Sequence, residues 1–481
     1  MRRPSPLPAL LALGLLGGLV PVSCGRAEAP PAGSGKGPPP NVVLIVWDTC
    51  RADRLSAYGH TRPTTPHLEA LARTGVRYAH CSTPAPWTAP AHASLFSGLA
   101  MHRHGLEVGA GDRVHQGIPL LAETLGRAGY ETVAFTANAY ISDLTGLSRG
   151  LRLLENVRDQ ISVVQDAERI LASVKGWLSV RTPDPSKEGP FFLFANFMDC
   201  HLPLRPPAAD VEAVREPDLS AQDLQAAKSI DGPAALAHLL GIRRVDDGAL
   251  RGYRARYDAA ARYLDRRTAE LLDLLRARGF LKDAIVVVTS DHGEHLGEHG
   301  MLDHRISLYD TLLRVPLVVH RPGRYEGGAV VQAEVSLMDV YPTILAEAGV
   351  AVPAGTGLDA RPLPPKGGEG RTLLGEFASV EAHLDTLRRG FPGEPDSRFE
   401  PLYLDIASAR DPASRPGARK YIRWTRGGPG PAETLVREEL YDTVADPGET
   451  RDLLPGGGAA ARADAERLAA EIVRMRREGT K

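Results

Sequence analysis

Cysteine, aromatic side chains and net charge are all scarce in this chain of 481 residues. Its four cysteines, Cys24, Cys50, Cys81 and Cys200, are too few for a disulfide framework, and their spacing matches no zinc motif. They leave one disulfide or buried free thiols as the alternatives. Lys and Arg number 57 against 59 Asp and Glu, so the formal charge is −2 and no whole-chain field argues for nucleic acid or a membrane surface. Beyond residue 20 no stretch is apolar for long enough to span a bilayer. Internal repeats are also missing. Glycine and proline, at 49 and 39, are plentiful and predict many turns and loops. An apolar content of 43% is ordinary for a globular protein, and the length suggests roughly two to four domains.

The start of the chain reads as an export signal. Arg2 and Arg3 precede an apolar run from Leu7 to Val20, short for a membrane span and right for a signal h-region. Cys24 follows, so residues 1–24 are either a cleaved signal or a lipoprotein signal that anchors the chain at Cys24. Export to the periplasm or cell surface is expected either way, with any membrane contact made through the lipid. Residues 25–40 are a Pro/Gly-rich tether.

Order is expected from Asn41 onward. Val42-Val-Leu-Ile-Val-Trp47 reads as a strand buried on both faces, and Glu131–Thr136, Phe191–Phe197, Ala284–Thr289 and Leu317–His320 are further strands. Helical patterns ending at glycine separate them: His67–Arg73 before Gly75, Pro119–Ala128 before Gly129, 261–279, and Val340–Ala348 before Gly349. This alternation predicts an α/β fold, a large mostly parallel sheet sandwiched by helices, spanning 41–361. Residues 205–252, polar and without strand character, read as an insertion or lid, and 362–481 as a smaller C-terminal α+β subdomain with a strand at Lys420–Trp424 and a final helix near Ala460–Arg477.

Sites in such sheets form beyond the carboxyl ends of the strands. Asp48 stands there after the first strand, Asp199 and His201 after Phe191–Phe197, and Asp291 and His292 after Ala284–Thr289. One Asp in that place is ordinarily a turn or cap residue, but acidic and imidazole groups from distant segments at matching strand ends are the make-up of a metal site. Thr88 opens a helical segment with Pro90 in its first turn and suits an N-cap. A hydroxyl there also sits where a helix favours an anion, and a divalent cation beside it would make it a nucleophile. Asp291-His-Gly-Glu-His-Leu-Gly-Glu-His-Gly300 is rich in His and Gly; its first two residues are the metal candidates, and the rest reads as a glycine-rich loop over the site. His304 beyond it could bind an anion or protonate a leaving group.

Thr88-Ala-Pro-Ala-His-Ala-Ser-Leu-Phe-Ser-Gly98 resembles the nucleophile segment of the sulfatases, in the alkaline phosphatase superfamily. Asn41–Asp53, Thr65-Pro-His-Leu, Phe191–Phe197 with His201-Leu-Pro, Thr289-Ser-Asp-His-Gly-Glu, Gly297-Glu-His-Gly, Arg314-Val-Pro-Leu-Val-Val, Ser336–Thr343 and Glu439-Leu-Tyr-Asp follow in that family's order. The resemblance implies the fold already described and a metal-dependent hydrolase. It departs from the pattern in instructive places. Thr88 replaces the Cys or Ser that becomes formylglycine, Thr49 replaces a second Asp, His92 and His304 replace an Arg and a Lys, and Thr136-Ala-Asn-Ala-Tyr140 lacks a Lys and a His. Thr88 instead resembles the metal-bound Thr nucleophile of the nucleotide pyrophosphatase branch. The resemblance thus implies Asp48, Thr88, Asp291 and His292 around one divalent cation (Ca, Mn or Zn), with a second cation left open. Thr88, His201, His304 and His92 are the implied catalytic set. The substrate would be a small anionic ester or a sulfated or phosphorylated glycan, cleaved at sulfate or a related phospho or phosphonate group. Alternatives are an inactive or weak homologue that binds anionic glycans at the cell surface and, below it, a phosphoethanolamine-type transferase.

Overall fold

The computed structural model describes residues 38–107, 112–158, 166–182, 187, 189–380, 384–427 and 433–478. The signal, and the tether up to residue 37, lie outside them.

Among the described residues nine strands form the main sheet: β1 (Val42–Trp47), β2 (Val76–Ser82), β3 (Glu131–Thr136), β4 (Leu153–Asn156), β5 (Phe191–Phe197), β6 (Ile285–Thr289), β9 (Arg314–Val315), β10 (Leu317–His320) and β11 (Ala329–Ser336). Their order is β11-β2-β10-β6-β1-β5-β3-β4, with β9 paired to β2. The central run β6-β1-β5-β3-β4 is parallel throughout, and only β9 and β10 run against their neighbours. Strand β1 explains why the sheet has two covers. Every residue of it is buried; Val42, Leu44 and Val46 enter one apolar cluster, and Val43, Ile45 and Trp47 enter the other. Period-two alternation with both faces apolar demands a helical layer on each side.

The helix Thr88–Ser97 packs into the first cluster through Ala89, Ala93, Leu95 and Phe96, and the helix Asp247–Ala277 into the second through residues such as Tyr253, Tyr257 and Leu264. The sequence places that second helix over 261–279, but it begins at Asp247, with Asp246 capping the Ala249 N–H at 2.8 Å. Its opening turns bury Ala and Tyr rather than long aliphatic side chains, and Gly252 interrupts them, so the apolar period is faint. Gly252 is required where it stands: a Cβ there would lie 2.2 Å from the Asp223 carbonyl oxygen. Residues 205–252 thus yield three short helices, Ala208–Val214, Ala221–Ala226 and Gly232–Leu239, and the start of the long one.

A second, antiparallel sheet follows: β12 (Leu373–Phe377), β13 (Asp405–Arg410), β14 (Arg419–Arg426) and β15 (Thr434–Asp442). One face joins the main core through Phe377, Ile406, Ile422 and Trp424; the other packs the helix Gly458–Glu478 through Leu468 and Ile472. The fold class read from the sequence is therefore the one observed. Cys50, Cys81 and Cys200 are buried free thiols.

Candidate active site and metal centre

Because β6, β1, β5 and β3 are adjacent and parallel, the residues that follow them gather at one sheet edge. Asp48, Asp291 and His292, each fully buried, place a ligand atom apiece within 4.8 Å of one another. His292 Nε2 lies 3.3 Å from Thr88 Oγ1, 3.4 Å from Asp291 Oδ2 and 3.9 Å from Asp48 Oδ1. Thr88 is not an N-cap: Trp87 holds the cap position, no side chain accepts from the first turn, and the Thr88 hydroxyl pairs with His292 Nε2 instead.

The surroundings fix which atoms remain available. Asp291 Oδ1 accepts from the backbone N–H groups of Thr49 (3.1 Å) and His292 (2.9 Å), while Oδ2 is buried without a hydrogen-bond partner. Asp48 Oδ2 accepts from the Asn138 amide at 2.7 Å, and its Oδ1 is likewise buried and unpartnered. His292 Nδ1 sits 2.9 Å from the Gly293 carbonyl, which can only accept, so the proton is on Nδ1 and the Nε2 lone pair is free. Burial, joined by the Asp48–Asp291 repulsion, lifts Asp48 to about 8. Burial lifts Asp291 to about 6 against two backbone hydrogen bonds. Burial and the neighbouring charged His304 hold His292 well below its ordinary range. Two orphaned carboxylate oxygens and a bare imidazole nitrogen aimed at one another cost several kcal/mol without a cation and form a sound N/O ligand set with one, by order of magnitude. The donor set fits a divalent metal.

A second trio lies beside it. Glu294, Asp303 and His304 also bring ligand-type atoms within 4.8 Å, all buried. They meet because His295–Leu296 (β7) pairs with Leu302–Asp303 (β8) in a two-stranded ribbon, where the sequence predicts only a loop. Asp303 adopts φ 74°, a left-handed conformation rare for a residue with a side chain. His304 Nδ1 is 3.0 Å from Asp303 Oδ1 and 3.4 Å from Glu294 Oε2. Burial opposes charge on His304, but Asp303 and Glu294 outweigh it and raise its pKa to about 10. Burial also pushes Asp303 up, yet Arg305 and His304 hold it well below the usual carboxylate range. The His304 ring is 4.6 Å, centroid to centroid, from His292 and 5.0 Å from His201.

The other sequence candidates divide. His201 is at the site edge; its Nδ1 faces the Leu202 carbonyl at 2.7 Å, and burial with the nearby His304 charge lowers its pKa to about 4. His92 lies beneath the site, fully buried, its Nδ1 2.9 Å from the Thr88 carbonyl and 3.4 Å from Asp291 Oδ2, its ring edge-on to Phe96 and Phe194. His92 Nε2 is buried without a partner, and burial lowers the pKa of the ring. Asp199 turns away, accepting from the Ala167 N–H at 3.1 Å at the start of the helix Asp166–Ser179. His295 and His299 are occupied elsewhere, with Ser307 and Thr311 and stacked on Tyr309, respectively.

Sequence reasoning passed over Asn138, Glu294, Asp303 and Arg305. Asn138 occupies the segment noted only for what it lacks, and its amide aligns Asp48. Arg305, its side chain 39% exposed and 3.9 Å from Asp303, is a permanent cation beside the cluster.

A family model described as Sulfatase matches residues 40–350. The chain is 24% identical over 443 residues to a Delta 4,5-hexuronate-2-O-sulfatase of Bacteroides thetaiotaomicron, covering 86% of this chain and 84% of that one. It is 26% identical over 471 residues to the human N-sulphoglucosamine sulphohydrolase, covering 86% of each. Among solved structures it resembles the phosphonate monoester hydrolase of Agrobacterium radiobacter with a TM-score of 0.70 at 22% identity, over 92% of this chain and 96% of the other.

Proposed function

This chain belongs to the sulfatase family, and from that premise we propose that it is a metal-dependent ester hydrolase in which Thr88 is the nucleophile. Asp48, Asp291 and His292 would hold one divalent cation beside Thr88 Oγ1. When bound, that cation lowers the pKa of a neighbouring hydroxyl and neutralises charge on the non-bridging oxygens of a tetrahedral anion. Thr88 Oγ1 attacks sulfur or phosphorus, and the ester oxygen leaves on the opposite side. His304, a cation held between carboxylates, binds the anion's oxygens or protonates the leaving oxygen. His201, neutral, accepts the Thr88 proton on attack and returns it to Thr88 Oγ1 when water cleaves the Thr88 ester, the proton of that water leaving with the product anion or to solvent. His92 does not meet the substrate; it ties the Thr88 carbonyl to Asp291 from below. Asn138 turns Asp48 so that Oδ1 faces the cation.

The observation that carries this reading is the Thr88 hydroxyl 3.3 Å from an imidazole nitrogen that itself gathers with two buried carboxylates, each with one oxygen lacking a hydrogen-bond partner. The sulfatase names of two relatives support a sulfate ester as the first candidate, and the phosphonate monoester hydrolase supports a phosphonate ester, with a phosphate ester as its chemical neighbour, as the next. Export through residues 1–24, with or without a lipid on Cys24, belongs to the same reading. No helix among the described residues is long and apolar enough to cross a membrane.

The test is turnover of 4-nitrophenyl sulfate, phosphate and phenylphosphonate by the purified chain with added Mn²⁺, Zn²⁺ or Ca²⁺. Metal-dependent activity on any of them, lost in Thr88→Ala, is the expected result. No turnover with any metal, alongside retained binding of sulfated glycans, would favour the non-catalytic alternative.

A further inference from the structure

We propose that Tyr140 and Arg305 bind the alcohol half of the ester at the mouth of the site, and that this half is a ring carrying a second anionic group such as a carboxylate; the proposal rests on the hydrolase reading above and names its substrate class.

Tyr140 is tied to the metal centre through a single side chain. The Asn138 amide donates from Nδ2 to Asp48 Oδ2 at 2.7 Å, and its Oδ1 accepts the Tyr140 backbone N–H at 2.8 Å. Thr145 Oγ1 closes the loop by donating to the Tyr140 carbonyl at 2.5 Å. The Tyr140 ring packs edge-on against Trp87, the residue before Thr88, with 5.7 Å between centroids. Trp87 is buried, whereas Tyr140 is 36% exposed, and its hydroxyl has no hydrogen-bond partner among the described residues. An aromatic face held in this way beside the nucleophile is a ready surface for a ring in the substrate.

Arg305 comes to the same mouth from the β7–β8 ribbon. Two residues in the left-handed region, Asp303 (φ 74°) and Ile306 (φ 55°), bracket His304-Arg305, and the chain turns between them so that the imidazole is buried and the guanidinium reaches solvent. That guanidinium makes no hydrogen bond among the described residues; its ion contact with Asp303 Oδ2, at 3.9 Å, is too long for one. Asp303 is already met more closely, at 3.0 Å, by His304. Asp303 and, less strongly, Tyr140 raise the Arg305 pKa above its ordinary value. Burial and His304 lower that of His201, and the Arg305 charge adds to them. The cation thus stands within electrostatic reach of both Tyr140 and the site edge. A planar fork of N–H donors with nothing to bind matches a carboxylate in two-point contact. The reacting group has the metal ligands and His304 before it, so this spare cation suits a second charge on the substrate, and the aromatic face suits the ring that bears it.

Esters that differ only in that charge test the pair: 4-carboxyphenyl against 4-carbamoylphenyl sulfate, with the same two phenylphosphonates alongside. Methyl glucuronoside and methyl glucoside sulfates repeat the contrast on a sugar, and the pair with the larger preference tells a saccharide acid from an aryl acid. Arg305→Gln should lower the carboxylate-over-amide ratio of kcat/KM about 5- to 10-fold, through KM, while Arg305→Lys keeps part of it. The wild-type ratio should also shrink as salt rises from about 20 to about 300 mM. Tyr140→Ala should raise KM for both members of a pair about 5-fold and leave their ratio within about 2-fold, with Tyr140→Phe close to wild type. Equal ratios in the wild-type and Arg305→Gln chains, on aryl and sugar alike, would overturn the proposal. A Tyr140→Ala chain that loses bound metal or kcat at unchanged KM would overturn it as well, by making the ring a prop for Asn138. Failure of the wild-type chain to turn over any of these esters is a separate result that removes the parent reading.

Discussion

Two trios, each of two carboxylates and a histidine, stand side by side among the described residues and behave oppositely. Asp48, Asp291 and His292 hold an imidazole that burial keeps neutral; Glu294, Asp303 and His304 hold one kept charged, with a pKa of about 10. Residue type and burial are alike, so neither explains the difference. Hydrogen-bond direction does. His292 spends its Nδ1 proton on a carbonyl and offers a lone pair, leaving two carboxylate oxygens with nothing to bind. His304 points Nδ1 at the carboxylates themselves. In the proposed reading the first trio is completed by a cation from outside, whereas the second carries its own proton.

The sharpest way to break this comparison is to remove its proposed reactive atom. Thr88→Ala should lower kcat by about 10³-fold or more while bound metal stays near one per chain, read by steady-state kinetics and elemental analysis. Equal turnover would leave the first trio without chemistry. Next in size, Asn138→Leu frees Asp48 to turn and should weaken metal binding about 10- to 100-fold in competition with a fluorescent chelator. An unchanged affinity would show that Asp48 needs no second support.

The pH response separates the trios further. Asp48 and Asp291 have folded values of about 8 and about 6, above the ordinary carboxylate value near 4. Between those values the metal-free folded chain holds more protons than the unfolded chain, so its stability falls as pH rises from about 4 to about 8. A bound cation removes that loss. The melting-temperature gap between chelated and metal-loaded protein should then widen from pH 5 to pH 8, whereas a gap that narrows would contradict the account. The smallest effect belongs to Asp199, which the sequence offers as a site neighbour and the structure puts at a helix start. Asp199→Ala should cost about 1 kcal/mol in denaturant unfolding and leave bound metal unchanged. Lost metal would return it to the site.

These residues also mark how far the sequence reaches. Strands such as Val42–Trp47 and Phe191–Phe197 are legible because burial on both faces leaves an unbroken apolar run. Asp48, Asp291 and His292 are legible because strand ends in a parallel sheet share an edge. Glu294 with Asp303 is not, since their meeting depends on a ribbon of two-residue strands that carries no periodic signal. Asn138 is hidden for another reason: a neutral amide after a strand looks like any turn residue until its partner is known. The start of the long helix is hidden because its first turns lie in the polar stretch up to Gly252, where the missing Cβ is what lets Asp223 approach. His92 and His304 look equivalent as replacements for cations, and only packing tells the buried strut from the charged donor.

An anomalous-difference map from crystals grown with Mn²⁺ tests the central claim most directly. The account predicts one peak, enclosed by Asp48 Oδ1, Asp291 Oδ2, His292 Nε2 and Thr88 Oγ1, and none among Glu294, Asp303 and His304. A peak in the second trio, or an empty first one, would contradict it.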